Sequence, residues 1–158
     1  MKEIPYPFKD KEMVFGMLFS MSSKLQKLMD RELAPYDITS KQWFLTIVLG
    51  FFFKEPPTLS ELAEKMEYSH QNVKQIAAKL ANKGFIRFEK DKKDQRVIRL
   101  SLTEKSDMFW KERDKQADQF LSVIYDGLTQ KELACTSKAL QRISENLNRI
   151  ESTNIEGE

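Results

Sequence analysis

The chain has 158 residues, a formal net charge of +2, 41% hydrophobic residues and 32% charged residues. This length is enough for one domain with a proper core, and the composition is typical of a strongly helical globular protein. The N-terminal segment lacks the apolar core of a signal peptide. The longest apolar stretch, residues 43–53, is about half of the ~20 residues that a membrane span needs. We therefore expect a single domain over residues 1–158, located in the cytoplasm and without a membrane partner.

The N-terminal third of the chain predicts an arm followed by a long helix. Residues 1–9 are expected to be extended because Pro5 and Pro7 obstruct a helix. Residues 10–34 predict a helix whose apolar residues recur at intervals of three and four, as in a helical seam: Val14, Leu18, Met21, Leu25 and Leu28. At 1.5 Å per residue this helix would span about 36 Å, which is too long for the core of a compact monomer to cover.

A second helix is expected to begin at Thr39, since Gln42 follows three residues later and completes a capping box. Its apolar residues, which run from Trp43 to Phe53, surround the helix axis almost completely. A helix that is apolar on all sides is usually buried. We therefore expect this helix to lie at the centre of the fold.

The next stretch predicts two short helices joined by a tight turn. Thr58 and Glu61 form another capping box, and Ser69 is placed to cap the second helix. In that second helix the apolar residues follow the spacing of one buried face: Val73, Ile76, Ala77 and Leu80. Gly84 is expected to end it.

The opposite face of this helix carries no acidic residue. At about 100° per residue, it presents Gln71, Lys74, Gln75, Ala78 and Asn82, with Lys79 at its edge. Gln and Asn can pair with adenine edges in the major groove, and lysines can contact phosphates. The alternative interpretation is an ordinary solvated helix face.

A charged hairpin follows and favours nucleic-acid binding. Residues 97–102 alternate between apolar and polar, as expected for a half-buried strand, and residues 85–88 supply its partner. The loop between them, residues 91–96, is too polar to be buried. Residues 70–105 contain ten Lys and Arg against four Asp and Glu, a net charge of +6, which leaves −4 for the rest of the chain. Positive charge concentrated on one segment is typical of a DNA-binding surface. The pattern predicts a winged helix-turn-helix.

The hairpin resembles the wing of the MarR-type transcriptional regulators. The family pattern Asp-x-Arg, five residues, then Leu-Thr is complete here, from Asp94 and Arg96 to Leu102 and Thr103. The resemblance extends over nearly the whole chain and implies a mainly α (α+β) fold, a winged helix-turn-helix core flanked by N- and C-terminal dimerisation helices. The DNA-binding lobe would comprise residues 39–103.

The resemblance and the exposed face together give a set of candidate DNA-binding residues. Arg96 would enter the minor groove and Asp94 would hold the wing in shape. Gln75 stands where the family often has Arg, so the operator cannot be transferred, and Ser106 replaces a frequent Gly, which we expect to affect only the start of the next helix. The full set is Ser69, His70, Gln71, Lys74, Gln75, Lys79, Asn82, Lys92, Lys93, Asp94 and Arg96.

The C-terminal third predicts a connecting helix over residues 104–126 and a last helix over residues 129–152. Thr129 and Glu132 form a capping box for the last helix. Its apolar face is a narrow seam: Leu133, Thr136, Leu140, Ile143, Leu147 and Ile150. Two seams, in helices 10–34 and 129–152, predict a homodimer that binds a palindromic site. The alternative is that both seams pack within one subunit.

The sequence gives little indication of metal binding, cofactor binding or catalysis. His70 is the only histidine and Cys135 the only cysteine, so we expect no metal site and no cofactor. One cysteine also excludes an internal disulfide and fits a reducing cytoplasm. His70 is expected to cap the helix, pack or contact a phosphate, and Cys135 to be an unreactive packing residue. There is no Gly-rich phosphate loop and no histidine beside a nucleophile, so we expect no enzyme.

By the same resemblance, a small aromatic or phenolic effector would bind between the dimerisation helices and the DNA-binding lobe. The residues available there are Met13, Met17, Met21, Trp43, Ile47, Phe109 and Trp110. Such a set suits a deformable apolar pocket, and it equally suits a helical core. We expect a repressor of transcription that binds double-stranded DNA. The competing hypotheses are a winged-helix protein-interaction module and a small-molecule carrier without DNA binding.

Overall fold

The structure, a computed structural model, describes residues 9–155, so the predicted arm lies outside the described residues apart from Lys9. The chain separates into two compact units, residues 1–111 and 112–158. The first unit contains α1 (Asp10–Leu33), a 3-10 helix (Ala34–Tyr36), α2 (Ser40–Phe51), α3 (Leu59–Met66), α4 (His70–Asn82), β1 (Ile86–Lys90), β2 (Ile98–Leu102) and α5 (Glu104–Lys111). The second contains α6 (Asp114–Ile124) and α7 (Gln130–Ile155). The fold is mainly helical with one small sheet, as predicted; the single domain over residues 1–158 stays a prediction.

Three predicted capping boxes are present and set where their helices begin. Gln42 Oε1 accepts from the Thr39 N–H at 3.1 Å, and Thr39 Oγ1 accepts from the Gln42 N–H at 3.2 Å. The same reciprocal pair joins Thr58 to Glu61 and Thr129 to Glu132. Each box satisfies backbone N–H groups that have no partner inside the helix.

The core of the first unit lies where α2, α3, α4 and β2 meet. Six side chains in it are completely inaccessible to solvent: Leu45, Leu62, Val73, Ala77, Leu80 and Leu100. Burial of apolar surface contributes roughly 25 cal/mol per Å², so these contacts fix how each helix is rotated about its axis.

The turn between α1 and α2 is tied to the helices on both sides. Asp37 has a left-handed backbone conformation with φ 55°, and its Oδ2 lies 2.9 Å from Lys83 Nζ at the end of α4. Asp30 Oδ1, on α1, accepts from the Ser40 N–H at the start of α2 at 2.6 Å. The end of α1, the start of α2 and the end of α4 are therefore joined by polar contacts.

The prediction that the whole of α2 is buried is wrong at its C-terminal end. Phe51 is 80% exposed and Phe52 is 57% exposed, with Lys65 Nζ 4.9 Å from the Phe52 ring centroid. The buried residues of α2 lie along one side: Ser40, Gln42, Leu45, Thr46, Val48 and Leu49. The phenylalanines at the C-terminal end of α2 therefore reach solvent.

The connecting helix predicted over residues 104–126 is two helices. α5 ends at Lys111 and α6 begins at Asp114, and Arg113 between them has non-helical angles of φ −108° and ψ 5°. No Gly or Pro marks this break. Gly127, with φ 81°, ends the segment where the sequence predicted.

Ser106 in α5 has a larger structural role than the sequence suggested. It is fully buried, and its hydroxyl has no hydrogen-bond partner among residues 9–155. A Gly at this position would bury no hydroxyl. The effect of Ser106 therefore reaches the packing beneath α5 and not only the helix start.

Among residues 9–155, no helix is both long enough and apolar enough to cross a membrane.

Candidate nucleic-acid interface

The orientation of α4 is fixed by the turn before it and by the core behind it. Glu67, at the end of α3, has φ 55°, and Ser69 Oγ then caps α4 by accepting from the Asn72 N–H at 3.3 Å. The four predicted core residues of α4 are all buried. Because these residues face inward, the opposite side of the helix must face solvent.

That outward side, which we call the reading face, consists of Gln71, Lys74, Gln75, Ala78 and Asn82. All five residues are exposed, as are Lys79 at its edge and Ser69 and His70 at the helix start. No acidic residue occurs in α4. The predicted exposure of this face is confirmed, while contact of these residues with DNA stays a prediction.

The wing consists of β1, β2 and the loop of residues 91–97. The strands pair antiparallel, with Ile86 opposite Leu102 and Phe88 opposite Leu100. The base of the wing is joined to the segment before α3, because the Leu100 N–H donates to the Pro57 carbonyl at 2.8 Å. The wing and the helix-turn-helix therefore belong to one hydrogen-bonded lobe.

Asp94 shapes the tip of the wing. Its Oδ1 accepts from the Arg96 N–H at 3.0 Å and from Arg96 Nε at 3.1 Å, and its Oδ2 accepts from Arg96 Nη2 at 3.0 Å. The hydrogen bonds from the Arg96 side chain, followed by that from its backbone, lower the pKa of the Asp94 carboxyl. The Arg96 side chain is 90% exposed. Its guanidinium is therefore held by Asp94 and is still accessible to a partner.

Asp91 and Arg99 form a second anchor, which no short sequence pattern indicated. The guanidinium of Arg99 donates to the Asp91 carboxylate and, through Nη1, to the Pro56 carbonyl at 2.8 Å. Asp91 Oδ1 also accepts from the Lys93 and Asp94 N–H groups at 2.7 and 3.0 Å. Arg99, with help from these backbone N–H groups, lowers the pKa of Asp91 to about 2.

The ion pairs divide the basic residues of segment 70–105 into two groups. Four are paired with carboxylates: Lys83 with Asp37, Arg87 with Glu89, Arg96 with Asp94 and Arg99 with Asp91. The candidate lysines form no ion pair with any residue in the described part of the chain: Lys74, Lys79, Lys92 and Lys93. The positive charge that remains available to a partner is therefore mainly on lysines.

A polar groove of about 280 Å³ lies along one side of α4. Gln26 and Asp30 of α1 and residues 39–42 at the start of α2 form one wall. The other wall comes from α4 and includes Gln75 and Lys79, which connects the groove to the reading face. We call it the α2–α4 groove.

The residues predicted to bind an effector have different surroundings. Met13, Met17 and Met21 on α1 are about half exposed, while Trp43 and Ile47 on α2 are half-buried. Phe109 and Trp110 are also half-buried and pack against each other, with ring centroids 4.8 Å apart.

Phe109 and Trp110 also contact the core residue Phe85, with the Phe85 and Phe109 ring centroids 5.0 Å apart. These two aromatic residues therefore pack against the core in this structure. Binding of an effector stays a prediction.

The remaining candidate residues indicate no other chemistry. Cys135, predicted to be a packing residue, is exposed on α7. Within the described part of the chain, His, Cys, Asp and Glu do not form a group of three that could hold a metal ion.

An exposed helix of a helix-turn-helix, followed by a basic two-stranded wing, defines a winged helix-turn-helix protein. The sequence model of the MarR family matches residues 54–98, the segment from the start of the helix-turn-helix into β2. The HTH-type transcriptional regulator PapX of Escherichia coli is 21% identical over 128 residues, which are 81% of this chain and 77% of PapX.

Solved structures of MarR-type proteins share the fold. A MarR protein from Peptoclostridium difficile superposes with a TM-score of 0.78 at 19% identity, covering 94% of this chain and 95% of that one. The MepR–DNA complex of Staphylococcus aureus gives a TM-score of 0.71 at 19% identity and covers 84% and 96%. Over residues 54–98 the chain is similar to the MarR family, and over most of its length it shares the fold of solved MarR-type structures.

Proposed function

We propose that this protein is a sequence-specific DNA-binding repressor that acts as a homodimer on a palindromic operator. The observation that carries the proposal is the reading face, which is exposed, free of acidic residues and on the same lobe as a basic wing. Two similar proteins support it: MepR has been solved in complex with DNA, and PapX is an HTH-type transcriptional regulator.

In this proposal the two parts of the lobe have different tasks. Gln71, Gln75 and Asn82 read base edges in the major groove, where amide side chains can form paired hydrogen bonds with adenine. Lys74 and Lys79 contact phosphates beside them. The wing supplies Lys92, Lys93 and Arg96 to the minor groove and the backbone, and phosphate contacts of this kind set position rather than sequence.

Regulation would follow from the dimer. A small aromatic or phenolic effector that binds between the dimerisation helices and the lobe would favour a dimer whose two reading faces are wrongly spaced for DNA, and so release the operator. We propose a cytoplasmic regulator without catalytic activity. A protein-interaction module and a small-molecule carrier are the competing functions, and neither accounts for unpaired lysines around an acid-free helix.

Fluorescence anisotropy with DNA from upstream of the protein's own gene, measured across a salt series, tests the proposal. We expect binding in the nanomolar range that survives competition by bulk DNA and weakens steeply with salt, because lysines release counterions from the duplex. A double variant, Lys92→Gln with Lys93→Gln, should lower both affinity and salt slope. Lys138→Gln, on α7, removes one of the same charges outside the lobe and should change neither. Complete absence of binding at low salt would overturn the proposal.

A further inference from the structure

We propose that the α2–α4 groove seats a backbone phosphate of the DNA that the reading face binds. The inference rests on the proposed function and adds a second positioning contact to it. Two residues of α2, which belong to neither the reading face nor the wing, make this contact together with Lys79 at the edge of the reading face. The ligand chemistry is a phosphodiester anion, and the residues that would hold it are Lys41, Gln42 and Lys79.

The position of the groove fits a phosphate strand. A helix in the major groove has a DNA backbone on either side of it, because the phosphates border the groove whose floor carries the base edges. The α2–α4 groove runs beside α4 and shares Gln75 and Lys79 with the helix. A duplex held against the reading face therefore places one backbone next to the start of α2.

Gln42 presents a hydrogen-bond donor to this groove. The residue is only 4% exposed, and the capping box fixes its orientation because Oε1 accepts from the Thr39 N–H at 3.1 Å. Its Nε2 amide group is then left to the groove, which Gln42 lines, and no residue among 9–155 accepts from it. The Nε2 group is not among the fully buried polar atoms that lack a partner, so solvent reaches it, and a ligand oxygen in the groove can accept a hydrogen bond from it.

The charges of the groove favour an anion. Lys41 and Lys79 line it, and neither forms an ion pair among the described residues; Lys41 Nζ lies 5.8 Å from the Tyr68 ring centroid. Asp30 is the one carboxylate in the lining, and its Oδ1 already accepts from the Ser40 N–H at 2.6 Å. Two cations against one engaged carboxylate leave a net positive site.

Two nearly isosteric substitutions test this site in opposite directions. Gln42→Glu keeps an acceptor for the Thr39 N–H, since Glu is a normal capping-box residue, but replaces the donor with a negative charge. Asp30→Asn keeps an acceptor for the Ser40 N–H and removes a negative charge. Anisotropy should show about tenfold weaker DNA binding for Gln42→Glu and severalfold tighter binding for Asp30→Asn.

Matched controls separate the groove from a general effect of charge. Gln116→Glu and Asp118→Asn make the same chemical changes at exposed positions of α6 and should leave affinity unchanged. Thermal unfolding checks that each variant is folded. Should Gln42→Glu fail to fold, Asp30→Asn and Lys41→Gln, both at exposed positions, still test the site.

Neutral phosphates locate the contact on the DNA. Duplexes are made in which one phosphate at a time is replaced by an uncharged methylphosphonate. At one position per half-site, this replacement should weaken binding of the wild-type protein. The same replacement should not weaken binding of Gln42→Glu. If the wild type binds DNA while the groove variants behave like their α6 controls, the phosphate seat is wrong and the proposed function stands. If the wild type binds no DNA at low salt, both are overturned.

Discussion

Arg96 is held by Asp94 and is also accessible to a binding partner. Asp94 fixes its guanidinium by two side-chain hydrogen bonds, at 3.1 and 3.0 Å, yet the side chain is 90% exposed. An arginine already ordered in the free protein loses less conformational entropy on binding. The short Asp-x-Arg spacing therefore orders the wing-tip cation before DNA arrives.

Replacing Arg96 with Ala should weaken DNA binding and lower the salt slope by about one unit, because one phosphate-neutralising cation is lost. Anisotropy titrations at several salt concentrations give both quantities. Arg142→Ala removes an exposed arginine from α7 and serves as the control. A slope that does not change would remove Arg96 from the interface.

Gln75→Ala should change which base is preferred and not only how tightly DNA is held. Gln can make two hydrogen bonds to adenine, and such a pair contributes about 1–3 kcal/mol of discrimination. Binding measured on a panel of operator variants should show the preference lost at one position per half-site. Lys74→Ala is the comparison, since loss of a phosphate contact should weaken all variants equally. An equally uniform loss for Gln75→Ala would show that it reads no base.

Contacts between residues close together in the sequence could be predicted, whereas one contact that depends on the pairing register of the two strands could not. The outward side of α4 could be predicted because its buried residues recur with the helical period. Asp94 and Arg96 lie two residues apart. The contact between Asp91 and Arg99 forms only because the hairpin pairs Lys90 with Ile98, and a different register would separate them.

At the scale of the element, the wing is positioned by Arg99. This residue lies on β2, contacts Asp91 at the start of the wing loop and donates to the Pro56 carbonyl before α3. Its Nη1 also lies 3.8 Å from Glu61 Oε2 on α3. One side chain thus links the wing loop to the helix-turn-helix and sets the direction in which Lys92, Lys93 and Arg96 extend.

The pKa of the Asp91 carboxyl depends on its contact with Arg99 and can therefore be used to test this anchor. Its pKa is lowered from 3.8 to about 2, so the stabilisation of the wing is fully present above pH 3.8 and is lost as the pH falls through about 2. NMR of the side-chain carboxyl carbon should show a midpoint near pH 2 in the wild type and nearer to 3.8 in Arg99→Gln. Arg87→Gln alters a wing arginine that pairs with Glu89 instead and should leave the Asp91 midpoint in place. A midpoint near 3.8 in the wild type would contradict the anchor.

Element boundaries were predictable only where the sequence contains a capping or breaking residue. Three capping boxes and Gly127 marked helix ends correctly. The break between α5 and α6 has no such residue, and the exposed Phe51 lies in a run whose composition alone indicated burial. Which side of an all-apolar helix is covered depends on its neighbours, and a local pattern does not contain them.

At the scale of the whole molecule, each unit contains a helix with an apolar side that its own unit leaves open. On α1 of the first unit, Val14 is 44%, Met21 50% and Leu25 38% exposed. On α7 of the second unit, Leu140 is 44%, Leu147 56% and Ile150 57% exposed. These residues belong to the predicted seams. Large apolar side chains aligned along a helix at seam spacing are typical of a surface that a partner helix covers.

We therefore predict that the seam of α7 is needed for a homodimer. Sedimentation equilibrium should give twice the mass of the chain for the wild type and the mass of one chain for Leu147→Asp, because a buried, unpaired carboxylate opposes association. Ala134→Asp introduces the same charge at an exposed position off the seam and should remain dimeric. With the dimer lost, binding to a palindrome should fall to that of a half-site, since two reading faces about one DNA turn apart can no longer act together. A wild-type protein that sediments as a monomer at micromolar concentration would show that the seams serve some other contact.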